Sequence, residues 1–182
     1  MAMMARAELA TLLVDGEVTV EPFAAQHVDG LREACAQDRE IWEIYPVNML
    51  DDGFEEQLKA FHGEEGWVRF ALCHAGRVVG TSSYIHPSPE NGTVMIGGTY
   101  IEPSVRGTDF NHRVKKLMIE HAFACGFWRI EFTVDTRNKR SMAAVQKLGA
   151  KHEGTLRRNR TTWTGYVRNT AVFGLLKEEW AG

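Results

Sequence analysis

Between Trp67 and Asp135 the hydrophobic period of the chain changes from two to about 3.6 and back to two, with almost no residues spent between the changes. Trp67 to His74 and Arg77 to His86 alternate around Ala75-Gly76, and Asn91-Gly92 then turns the chain into Thr93 to Glu102. Such dipeptides close tight hairpins, so these runs predict a three-stranded antiparallel meander. Val114, Leu117, Met118, His121 or Ala122, and Cys125 follow at helical spacing, and Gly126 is placed to stop the helix. Ile130, Phe132 and Val134 then alternate in a strand from Trp128 to Asp135. A strand, helix and strand of this length close as a right-handed parallel crossover. Val94 to Ile101 and Trp128 to Asp135 are therefore expected to be parallel neighbours.

The flanking segments extend this pattern. A short strand pair is expected around Asp15-Gly16, with helical segments near Ala24 to Asp38 and Phe54 to His62 and an aromatic loop between them. A second short helix from Asn138 to Leu148 precedes a terminal hairpin around Thr164-Gly165. The fold class is α/β with a mixed sheet: mostly antiparallel, with one parallel βαβ crossover, flanked by helices. With 182 residues and no repeat, low-complexity tract or proline-rich linker, a single domain over residues 1–182 is expected.

Charge and cysteine usage narrow the partners. A net charge of −3 provides no basic excess for nucleic acid or an anionic membrane surface. Cys35, Cys73 and Cys125 are odd in number and far apart, so neither a disulfide framework nor a thiolate metal site is expected, and a cytoplasmic location fits. Arg6 and the brief apolar run after it, interrupted by Glu8, do not make a signal peptide, and no stretch is long and apolar enough to span a bilayer. The seven histidines fall in no metal-ligand spacing.

Three places carry chemistry. The strand-to-helix junction Val105 to Asn111 holds Arg106, Gly107 and Asn111, the last one turn before Lys115. Helix N-termini collect unpaired N–H groups that suit a pyrophosphate; the same residues also read as an ordinary turn capped by Thr108 or Asp109. Gly97-Gly98 interrupts a good strand, which implies a bulge, a close ligand approach, or both. A bulge there splays the strand from its parallel neighbour and frees backbone groups for an extended amide arm such as pantetheine. Asn138 and Ser141, three apart at a helix start, face that slot or simply cap the helix.

Taken in order, these pieces resemble the GCN5-related N-acetyltransferase (GNAT) superfamily, especially its RimJ/RimL-like branch. The matching residues are Thr108, Asn111 and Lys115; His121 to Phe123; Asn138 and Ser141; Lys147 to Ala150; Glu153-Gly154 with Arg157; and Glu179-Trp180. The resemblance implies the GNAT fold and a transferase, specifically an acetyltransferase using acetyl-CoA as cosubstrate, with an amine acceptor and no metal. It places the pyrophosphate on the amides from Arg106 through Gly107 and Thr108 to Asn111, and the arm near Ile101, Asn138 and Ser141. It implies direct attack of a neutral amine on the thioester, and a homodimer at the level of the family.

Departures accompany the match. Asp109 stands where the phosphate loop has a glycine, whereas Asn111 is usual for this branch. Val145 occupies the position of the tyrosine that often protonates the departing thiolate, so Ser141 becomes the candidate catalytic acid. Arg160 lies near the place of the branch's glutamate base, and none of Glu102, Asp135 and His86 is singled out as a substitute. On the family fold Trp42, Tyr45 and Trp163 border the acceptor entrance, or pack locally. Arg157, Arg158 and Arg160 attract an acidic acceptor, or form one polar face of an edge strand. The alternative function is a degenerate acyl-CoA-binding protein of the same fold.

Overall fold

Every period-two run becomes a strand of one sheet. The computed structural model describes residues 8–63 and 65–182, so the reading of the extreme N-terminus as leaderless lies largely outside the described residues. Strands β1 (Leu13–Asp15) and β2 (Val18–Pro22) form the hairpin expected around Gly16, and helices α1 (Val28–Ala36) and α2 (Asp51–Gly63) follow. The meander is β3 (Trp67–His74), β4 (Arg77–Ser88) and β5 (Thr93–Ile101). Helix α3 (Phe110–Ala124), strand β6 (Arg129–Asp135), helix α4 (Lys139–Lys147) and the hairpin β7 (Lys151–Thr161) and β8 (Val167–Leu176) complete the order. The eight strands lie in the order β1-β2-β3-β4-β5-β6-β8-β7.

Helix α1 is shorter than the expected segment because Ala25–His27 is a 3-10 turn, in which His27 Nδ1 accepts the Ala24 N–H at 3.0 Å. Helix α4 begins one residue late because Asn138 is its cap.

The parallel pairing of β5 with β6 is brief. Thr93, Val94 and Met95 face Arg129, Ile130 and Glu131, and no ladder continues from Ile96 or Phe132. A bulge in β5 lies at the point of divergence. Ser83 pairs with Gly97 but Thr81 with Tyr100, so β5 carries one residue more than β4 opposite it. Gly98 takes φ +59 there, a left-handed conformation that costs other residues about 1–2 kcal/mol. A bulge increases local twist and bends its strand, which leaves a splay between β5 and β6.

The steps from β5 to β6 and from β6 to β7 run in one direction across the sheet, so right-handed crossovers place α3 and α4 on one face. Val114 and Met118 of α3 share a core there with Val145 of α4, with Leu148 just after it, and with Val94, Ile130, Phe132 and Phe173 of the strands. Each such side chain fully buried contributes about 1.5–3 kcal/mol. A second core on the other face joins Leu31, Cys35, Trp42 and Phe54 to Tyr100 of β5. The end of β5 is thus gripped from both faces, while β7 is an edge strand with nearly every residue exposed.

Candidate active site

The turn between β5 and α3 forms one wall of the splay. Pro103–Val105 is a 3-10 turn that ends when the Arg106 N–H donates to the Pro103 carbonyl, and Gly107 at φ +79 then redirects the chain. Thr108 is the capping residue: its hydroxyl donates to the Val105 carbonyl at 2.8 Å and accepts the Phe110 N–H at 3.2 Å. Asp109 makes no capping bond; it is exposed and lines a cleft of about 360 Å³ with His74, Arg77 and Arg113. The N–H groups of Gly107, Thr108, Asp109, Asn111 and His112 meet no protein acceptor among the described residues. They form a cluster of donors at the positive end of a helix of four turns.

The Arg106 side chain turns away from this cluster. Its Nε donates to the Ile101 carbonyl at 2.6 Å, its Nη1 pairs with the Asp38 carboxylate, and its guanidinium lies 5.6 Å from the Tyr100 ring centroid. Burial raises the Asp38 carboxyl, but Arg106 and the Ile41 N–H outweigh it and hold the group below its usual range. Arg106 therefore anchors the turn to the segment after α1, a link not visible in sequence because 68 residues separate the partners.

Beneath the bulge lies a network that the sequence reading missed. Tyr45 donates its hydroxyl to the Thr99 carbonyl at 2.7 Å, and burial pushes that phenol up to about 12. The Thr99 hydroxyl is 2.8 Å from that of Ser82, and Lys115 Nζ donates to both, at 2.7 Å and 3.2 Å. Lys115 is only 6% exposed and has no carboxylate partner among the described residues; burial lowers its pKa to about 7. The available signal was its place on the stripe shared with Met118, Ile119 and Ala122.

The second wall is the start of α4. Asn138 Oδ1 accepts the Ser141 N–H at 3.0 Å, so the capping role holds. The Ser141 hydroxyl and the Asn138 amide nitrogen remain without a protein partner among the described residues. Arg140 acts electrostatically on Asp38 and Tyr45, so this helix start lies near the segment that holds Arg106. Val145 is 7% exposed and packed in the core, so no acid is supplied from its position.

The groups near the strand ends are committed elsewhere. Burial raises the Glu102 carboxyl, but Arg77 and Ser104 hold it below its usual range. Asp135 is likewise raised by burial and lowered further by Arg137, whose Nη2 is 2.8 Å away. His86 lies at the other end of β4, beyond the pairing of Ile85 with Met95. Of the aromatic residues, Trp42 is buried and stacked on Tyr100 at 4.6 Å, so it is core rather than entrance. Trp163, half exposed, donates its indole N–H to the Trp42 carbonyl at 2.7 Å and its backbone N–H to the Pro46 carbonyl at 3.2 Å. The tip of the terminal hairpin thereby reaches the loop after α1.

The segment that builds these two walls lies within residues 17–151, which match a family model described as an acetyltransferase (GNAT) domain. The chain belongs to the GNAT acetyltransferase family. A solved protein of T. thermophilus described as an acetyltransferase is 33% identical, covering 93% of this chain and 90% of its own, with a TM-score of 0.83. A GNAT-family protein from Chromobacterium violaceum is 26% identical over 95% of this chain and 89% of its own, with a TM-score of 0.88. RimJ of Mycobacterium smegmatis, solved in complex with CoA-disulfide, shares the fold at 19% identity and a TM-score of 0.76, over 94% of this chain and 88% of its own. Among the described residues no helix is long and apolar enough to cross a membrane, and no group of three or more His, Cys, Asp or Glu could hold a metal.

Proposed function

We propose that this chain, as one domain in the cytoplasm, transfers the acetyl group of acetyl-CoA to a primary amine by direct attack on the thioester. The observation that carries the reading is the cluster of unpartnered amides of Gly107, Thr108, Asp109, Asn111 and His112, opening where β5 and β6 part. The pyrophosphate is held by the backbone N–H groups of Gly107, Thr108 and Asn111, with Asn111's side chain beside it, whereas the Arg106 N–H is spent on the Pro103 carbonyl. The pantetheine arm runs along the free edge of β5 near Ile101 and meets Asn138 and Ser141 on the opposite wall. The RimJ fold relative, solved with CoA-disulfide, supports a coenzyme A ligand.

In the transfer the amine nitrogen forms a bond to the carbonyl carbon and gives up one proton, the C–S bond breaks, and the departing thiolate takes up a proton. With Val145 buried, Ser141 is the residue proposed to donate a hydrogen bond to the sulfur; the dipole of α4 assists it. Arg77 and Arg137 hold the Glu102 and Asp135 carboxyls below their usual range, which makes both weak bases, so loss of the amine proton to solvent fits the site better than either acting as base. The same two facts favour a second reading, an acyl-CoA-binding protein without turnover.

The test is release of free thiol from acetyl-CoA across a panel of amines and peptides with free N-termini, with acetyl-CoA binding followed by calorimetry. Turnover that falls in Asn138→Ala and Ser141→Ala supports the transferase. Tight binding with no turnover supports the second reading, and absence of binding removes both. Sedimentation of the intact chain tests the homodimer that the family leads one to expect.

A further inference from the structure

Arg168 is a buried cation. It is 6% exposed, its Nε donates to Thr170 Oγ1 at 3.0 Å, and it forms no ion pair among the described residues. Its two terminal nitrogens have no protein acceptor, yet no buried side-chain nitrogen among the described residues is left unsatisfied, so both reach open space. Arg160 is its cross-strand partner, and Arg137 and Asp135 are the other charges that act on it. Asp135 is already taken by Arg137, which stacks on Tyr166 at 3.7 Å. Arg137 and Arg168 thus share one carboxylate, and Arg160 adds a further positive charge beside Arg168. Removing a guanidinium from water without a counter-charge in contact is unfavourable.

The place of Arg168 says where the missing anion would come from. Thr170 pairs with Asp135 at the end of β6, and Arg168 lies two residues further along β8, on the face opposite α3 and α4. That end of the sheet is where β6 gives way to the Asn138 cap. The hairpin tip that begins beside Arg168 crosses to Trp42 and Pro46 through Trp163, on the face of the sheet opposite the two helices. A fork of two N–H-bearing nitrogens matches a carboxylate better than a point charge does.

We propose that the amine acceptor carries a carboxylate and that Arg168, backed by Arg160, binds it. The proposal rests on the acetyltransferase reading and names the class of its acceptor: an amino acid, or a peptide with an acidic residue near its N-terminus.

The test compares matched acceptors with the intact chain: glycine with methylamine, phenylalanine with phenethylamine, and tetrapeptides with Asp or Asn in second position. Amino-acid pairs and peptide pairs separate the two sources of the carboxylate. The wild type is expected to prefer the carboxylated member of at least one pair. Arg168→Gln is expected to raise KM for that member by roughly tenfold to a hundredfold, the effect of losing a charged hydrogen bond. Its kcat and its acetyl-CoA affinity should hold, and Arg168→Lys should recover part of the loss. Equal use of both members by the wild type overturns the proposal without touching the acetyltransferase reading, and needs no variant to fold. An equal loss for both members in Arg168→Gln, with acetyl-CoA binding intact, also overturns it. If no acceptor turns over, the transferase reading fails, and failure of the CoA-loaded chain to bind any carboxylated member in calorimetry overturns the proposal as well.

Discussion

The ammonium of Lys115 donates to the hydroxyl of Thr99 across 2.7 Å, tying the buried face of α3 to the bulge where β5 leaves β6. Tyr45 holds the carbonyl of the same residue from the other face. The bulge is therefore pinned by a side chain on each side of the sheet.

Lys115→Met keeps the unbranched apolar stem and removes the buried amine, and the Ser82 and Thr99 hydroxyls, 2.8 Å apart in this chain, can still bond each other. Burial lowers the folded-state pKa of Lys115 from 10.5 to about 7, so between those values the unfolded chain binds the extra proton and wild-type stability rises with pH. That contribution amounts to about 1.4 kcal/mol per pH unit and is absent in the variant. Chemical melts from pH 7 to pH 10 should show the variant ahead by most at pH 7, with the gap closing as pH rises.

Gly98→Ala forces a residue with a Cβ into φ +59 and brings that carbon to 3.1 Å from the Trp67 ring. A loss of about 1–2 kcal/mol from the backbone conformation alone is expected in urea melts. Acetyl-CoA affinity should fall with it, because the bulge sets the splay.

Asp38→Asn removes the charge that holds Arg106. The pair is partly buried, with side-chain exposures of 18% and 20%, and the loss at pH 7 should be about 1.5–3 kcal/mol. The Asp38 carboxyl lies below its usual range when folded, so its contribution is present above about pH 4 and is lost as pH falls through the folded value. The wild-type and variant melts should therefore converge in acid, and a double-mutant cycle with Arg106→Gln isolates the pair.

Asn138→Ala deletes the cap of α4 and should cost about 1 kcal/mol. Asn138→Asp restores an acceptor for the Ser141 N–H but not the free amide donor. Stability that recovers while acetyl-CoA affinity stays low would assign that donor to the ligand; recovery of both would leave Asn138 as a cap alone.

The strand and helix pattern from Trp67 to Leu148 was legible because period two and period 3.6 are local properties of side-chain direction. The parallel pairing of β5 with β6 followed from chain length and handedness, and the bulge from two glycines inside a strand. Thr108 as a cap and Asn138 as a cap were among the readings that residue type alone permits. Arg106 was expected to offer charge to a phosphate, and its guanidinium is instead held by Asp38, a residue distant in sequence and adjacent only once α1 packs on Tyr100.

From the sequence alone came the order of elements, the turn residues, the family resemblance and the residues on each side of the splay, all of which depend on neighbours a few positions apart. Tertiary structure alone decided that Lys115 is buried without a counter-ion, that Trp42 is core, that Val145 offers no acid, and that Arg168 sits beside arginines with no carboxylate of its own. The difference is physical. Periodicity and capping are set along the chain, whereas the cost of a charge depends on the dielectric and the partners that distant segments bring to it.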